Sequence, residues 1–134
     1  MTARLSRLVV LTGCWTLLSW CSAHAGDVSF SREYDRCIAA SGGVTAPINE
    51  CTAAETDRWD KRLNASYRSL LVTLNPERKK ALVDAEVAWL KFRDSNCDFI
   101  ADPDGGTAAG MAANSCVLRM TAERALELDS FKPN

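Results

Sequence analysis

The chain predicts an all-α fold, a small antiparallel bundle of about four helices arranged as two helical hairpins and stapled by two disulfides. Three observations carry this expectation. Apolar residues return at three- and four-residue steps, with no sustained strand-type alternation. Proline is scarce, and glycine clusters at the two breaks 41–43 and 102–106. Cys37 and Cys51 flank the first break, and Cys97 and Cys116 flank the second.

The fold reading starts after residue 25. Arg4 and Arg7 precede the apolar run 8–20, and Ala23-His24-Ala25 forms a small-residue cleavage site, so 1–25 reads as a cleavable secretory signal peptide. The apolar run is too short for a membrane span. Leu11-Thr12-Gly13-Cys14 also resembles a lipidation site, but little apolar sequence precedes it and the apolar 15–20 follows it. Soluble export to the periplasm or medium is the expectation. Residues 26–134 then form a single domain with one modest core.

The first helix is expected over 29–40, capped by Ser29 or Ser31 and stopped by Gly42 and Gly43, which permit positive φ. The second starts near Thr45, with Thr45 as cap and Pro47 in the first turn, and runs to about Leu74. Cys51, Ala54, Trp59, Leu63, Tyr67, Leu70 and Leu74 mark its apolar face. Asn75-Pro76-Glu77 gives a stop and restart, with Asn75 as cap and Pro76 at the first helical position. The third helix extends to about Phe99, with Leu82, Ala85, Trp89, Phe92 or Arg93, and Cys97 on one side. After the turn 102–106, Thr107 caps a fourth helix to about Ser130, packing through Met111, Val117, Leu118, Thr121, Ala125 and Leu128.

Short connections make consecutive helices antiparallel, which brings both glycine-rich loops to one end. Four cysteines allow three pairings. That topology selects Cys37 with Cys51 and Cys97 with Cys116, each closing a hairpin near its loop. An oxidising compartment suits both bridges.

Composition excludes much chemistry. His24, the only histidine, lies in the leader, so the mature chain lacks an imidazole base and a histidine metal ligand. Oxidised cysteines remove thiol catalysis and thiolate zinc sites. Asp57 with Asp60, or Asp84 with Glu86, are the remaining carboxylate pairs, and their spacing reads as solvated helix faces. The run from Asp102 resembles a calcium loop, but its sixth position is Thr107 and its twelfth is Ala113, where glycine and glutamate are required. No catalytic residue, metal or cofactor is expected. The chain carries 16 basic and 17 acidic residues, interspersed along the sequence, so no basic stripe points to nucleic acid.

Polar residues stand on or beside the packing faces: Asp60, Asn64, Tyr67, Glu86, Arg93, Asp94, Thr121 and Arg124. Sharing faces with Leu63 and Trp89, they read as a network fixing helix register, with Arg93 placed to clamp Glu86 or Asp60.

These residues also carry a resemblance. Asp60-x-x-Leu63-Asn64-x-x-Tyr67, the run Ala88-Trp89-Leu90-Lys91-Phe92-Arg93-Asp94-Ser95-Asn96-Cys97, and Cys116-x-x-x-x-Thr121-x-x-Arg124 resemble, in order and spacing, the LprI-type lysozyme inhibitor family. One departure is Glu86, where many members carry glutamine. The resemblance implies an exported helical domain that binds lysozyme and protects peptidoglycan. The shared motifs look architectural, so they name no inhibitory residue. The expected binding surface is the end held by the disulfides, at Gly42, Gly43, Asp102, Asp104, Gly105 and Gly106. The alternative is a non-enzymatic envelope module that docks on a bacterial partner.

Overall fold

The computed structural model describes residues 28–131, so the leader and any cleavage or lipidation site lie outside the described residues. Four helices follow in order: α1 Arg32–Ala40, α2 Thr45–Thr73, α3 Pro76–Ile100 and α4 Gly106–Ser130. No strand occurs among the described residues.

Each boundary has a local cause. Ser31, in extended conformation, caps α1 by accepting from the Tyr34 amide at 3.1 Å. Ser41 ends that helix, and Gly42 and Gly43 turn the chain at φ of 60° and 80°. The cap of α2 is Val44 rather than Thr45, and it makes no side-chain cap bond. Pro47 in the first turn carries no N–H, which leaves one donor fewer to satisfy there. Asn75 caps α3 through Oδ1, accepting from the Arg78 amide at 2.9 Å, with Pro76 next. For α4 the expected cap Thr107 is replaced by Gly105. The Asp102 carboxylate and carbonyl already tighten this turn, accepting from the Asp104 and Gly105 amides at 2.9 and 3.0 Å, so the chain enters the helix earlier.

The helices form two hairpins joined through α4. The α1–α2 hairpin is bridged by Cys37–Cys51 and the α3–α4 hairpin by Cys97–Cys116, with Cα–Cα separations of 5.7 and 5.6 Å. The largest interface is α2 against α4, followed by α3 against α4 and α1 against α2, and α2 with α3 forms no interface of comparable size. Asn114 Nδ2 donates to Asn49 Oδ1 near the start of α2 and α4, and Ser66 Oγ donates to Asp129 Oδ1 farther along both. The two helices therefore run parallel, and both glycine-rich loops fall at one end.

The core explains this arrangement. Trp59, Leu63 and Leu70 of α2 pack on Leu118, Ala122, Ala125 and Leu128 of α4. Ala122 and Ala125 are fully buried and small, which lets the two backbones approach. Leu118 and Leu128 are likewise sequestered, each worth about 2 kcal/mol of transfer free energy. A second cluster joins Cys97, Cys116 and Met120 beneath the α3–α4 loop.

Candidate functional site

The motif residues expected to form one network split into two sets. One set meets around Trp89. Arg124 of α4 donates through Nε to Glu86 Oε1 at 2.9 Å and through Nη2 to the same oxygen, while its Nη1 reaches Glu127 at 2.6 Å. Glu86 and Arg124 are almost wholly buried. Burial would lower the Arg124 pKa, but the bonds and charges of Glu86 and Glu127 outweigh it and raise the guanidinium above its usual value. Arg93 and Arg124 both lie over the Trp89 ring, at 5.3 and 5.9 Å from its centroid. Thr121 accepts from Arg93 at 3.4 Å. The Arg93 clamp differs from expectation. Its Nε and Nη2 hold Asp94, at 2.9 and 2.7 Å, because Arg124 already occupies Glu86.

The other set stays local to α2. Asn64 donates to the Asp60 carbonyl at 2.8 Å and carboxylate at 3.0 Å, both exposed, and Tyr67 packs half-buried against the core beside Leu63. Asp60 does not reach Arg93.

A second polar centre lies outside the sequence motifs. Glu55 is 1% exposed and takes four donors: the Ser31 amide at 2.9 Å, the Ser31 hydroxyl at 2.6 Å, Arg58 at 2.8 Å and Trp59 Nε1 at 3.1 Å. Burial pushes this carboxyl up, but the bonds from Ser31, Arg58 and Trp59 win and hold it below its ordinary value. A signal existed. Thr52, Glu55, Trp59, Leu63, Ser66 and Leu70 recur at three- and four-residue steps, so Glu55 occupies a core position, whereas Ala54 is exposed. Arg62 and Ser66 with Asp129 form a further α2–α4 link.

All these carboxylates accept from donors on the protein, so each ties helix to helix or one turn to the next. Asp84 likewise pairs with Lys80 at 2.6 Å. Among the described residues no group of acidic, histidine or cysteine side chains is placed to hold a metal ion. No helix among them is long and apolar enough to cross a membrane. A groove of about 710 Å³ lies between the segment before α1 and α4, lined by Phe30, Tyr34, Ile100, Leu118 and Arg119.

The end where the two loops lie is built differently. Gly42, Gly43, Asp102, Asp104, Gly105 and Gly106 are all exposed, and Gly106 has a φ of 60°. Charge that reads as interspersed along the sequence is segregated in the fold. No lysine or arginine occurs in 37–57 or 94–118, the stretches flanking the two loops, whereas Asp98, Asp102, Asp104 and Glu50 are exposed there. Arg68, Arg78, Lys79 and Lys80 gather toward the opposite end, near the α2–α3 turn. Both disulfides brace the acidic end.

Three comparisons bear on what this fold is. The family model described as Lysozyme inhibitor LprI matches residues 37–128, from the first bridging cysteine to the last core leucine of α4. An uncharacterised protein of Rhizobium meliloti (strain 1021) is 25% identical over 95 residues, covering 60% of this chain and 68% of that protein. No solved structure matches. The matched span includes both disulfides, the Trp89 centre and the α2–α4 core, and the chain belongs to the LprI lysozyme inhibitor family.

Proposed function

We propose that this protein is exported through the leader at 1–25 and inhibits lysozyme outside the cytoplasm, protecting peptidoglycan by binding rather than by catalysis. The observation that carries the reading is the family match across nearly the whole described domain. Two disulfides support an oxidising location, in the periplasm or beyond it.

The inhibitory surface in this reading is the loop end. Lysozyme cleaves glycosidic bonds with two carboxylates in a cleft, and its surface is generally cationic. An acidic, disulfide-braced end is suited to approach such a surface by electrostatic steering and to block the cleft without a large ordering cost. Gly42, Gly43, Gly105 and Gly106 keep the loops compact, and Asp102 and Asp104 face solvent. Nucleic acid is not a partner in this reading, and soluble processing after Ala25 is favoured over a lipid anchor at Cys14.

The test is a cell-wall lysis assay with purified mature protein against c-, g- and i-type lysozymes. Inhibition of at least one type at micromolar concentration is expected. Full lytic activity of all three would overturn the reading and leave docking to a bacterial envelope protein as the alternative, which affinity capture from periplasm addresses.

A further inference from the structure

The last turn of α3 breaks two local rules at one place. Phe99 is 86% exposed, although Cys97, two residues earlier, is 2% exposed and bridged to Cys116. Phe92, 60% exposed, stands seven residues before it, two turns back on the same side of the helix. A bare phenyl ring forfeits the burial that normally places this residue inside. The same turn also carries the wrong charge. A helix C-terminus is the negative pole of the macrodipole and favours cations. Here Asp98 and, just beyond, Asp102 and Asp104 crowd that pole, with no basic residue in the last turn. Local rules broken without an internal gain are a mark of function.

We propose that Phe99 is the anchor of a protein–protein interface whose partner is a cationic protein offering an apolar pocket within a basic rim. Asp98, Asp102 and Asp104 form the acidic collar around the anchor. This deepens the lysozyme reading and rests on it: it gives the loop end its hot spot, at a residue outside the loops themselves. Charge decides the class of occupant. A second copy would bring a like-charged end against this one, and an anionic bilayer surface would be repelled in the same way. The Cys97–Cys116 bridge fixes the ring's helix to α4, so the anchor is presented with little further ordering.

The two parts act on different rate constants. A buried aromatic anchor slows dissociation, whereas a charged rim speeds association and makes it sensitive to salt. Binding kinetics of the mature protein on immobilised c-, g- and i-type lysozymes, at low and high salt, separate them. Phe99→Ala is expected to accelerate dissociation about thirtyfold with association nearly unchanged. Its melting temperature should match the wild type, because the ring is exposed. The triple variant Asp98→Asn, Asp102→Asn, Asp104→Asn keeps the acceptor that holds the Asp104 amide. It should slow association roughly tenfold at low salt and flatten the salt dependence. If the wild type binds and Phe99→Ala dissociates at the same rate, the anchor is wrong and the lysozyme reading survives. If the wild type binds none of the three, the lysozyme reading falls and takes the anchor with it.

Discussion

At the scale of the residue, two buried carboxylates carry most of the specific polar chemistry, and they differ in how they are satisfied. Glu86 depends on a single partner, Arg124, across the α3–α4 interface. Arg124→Ala leaves that carboxylate buried and unpaired and should cost about 3–5 kcal/mol, read as a fall in denaturation midpoint. Arg93→Ala should cost roughly 1 kcal/mol, since its carboxylate partner is exposed and its bond to Thr121 is long. A ranking of the two in the reverse order would contradict the observed wiring. Glu86→Gln keeps an acceptor for Arg124 and should be milder than Arg124→Ala. Glu55 instead collects donors from the chain before α1 and from its own helix. Its pKa is held below the ordinary value near 4.5, so as pH falls the unfolded chain takes up this proton first. Its contribution to stability is therefore complete above that ordinary value and is lost as pH falls through the lowered one. Glu55→Gln should reduce this acid-side loss in melts recorded between about pH 3 and 6, while lowering stability near neutrality by about 1–3 kcal/mol. The motif residues were visible in the sequence because their spacing is helical. Their partners were not, because Glu86 and Arg124 are 38 residues apart and Ser31 and Glu55 are 24 apart. Such choices depend on how two helices are rotated about their axes.

The elements themselves were far more legible. Helix limits at Ala40 and Pro76 coincide with the glycine, proline and capping signals that predict them, and the fourth helix ends at Ser130 as expected. Two caps moved, to Val44 and Gly105, where proline or an aspartate turn had already consumed the local hydrogen-bonding need. The disulfide pairing followed from short connections, since only neighbours across a loop bring cysteines to bridging distance. Removing the second bridge by Cys97→Ser with Cys116→Ser opens a 19-residue separation and should cost about 3 kcal/mol in the chain-entropy model, measured by thermal melting. Both sulfurs lie 3.8 Å from the Met120 thioether in a buried cluster, so the loss should also loosen the α3 end of that hairpin. Faster amide exchange in 94–101 than in α2 would show this; uniform exchange would contradict it. At the α2–α4 interface, Ala122→Leu places a large side chain where the backbones approach and should destabilise by about 1–3 kcal/mol.

For the whole molecule, sequence order does not give packing order. The second and third helices follow each other directly, yet α4 is the element that holds both, and the third helix keeps Val83, Val87, Leu90, Phe92 and Phe99 exposed. No periodicity along one helix reveals which neighbour covers it. Charge segregation escaped the sequence for the same reason, since it arises when two separate base-free stretches, 37–57 and 94–118, are folded to one end. That end combines acidity, an exposed aromatic ring and two covalent braces, and it is the proposed contact with lysozyme. Backbone amide shifts of the isotopically labelled mature protein, followed while unlabelled lysozyme is added, test this most directly. Perturbations are expected to concentrate in 41–50 and 98–107, with little change around Arg68 and 76–80 at the opposite end. Perturbations centred on that opposite end, or a spectrum unmoved by every lysozyme type, would contradict this contact.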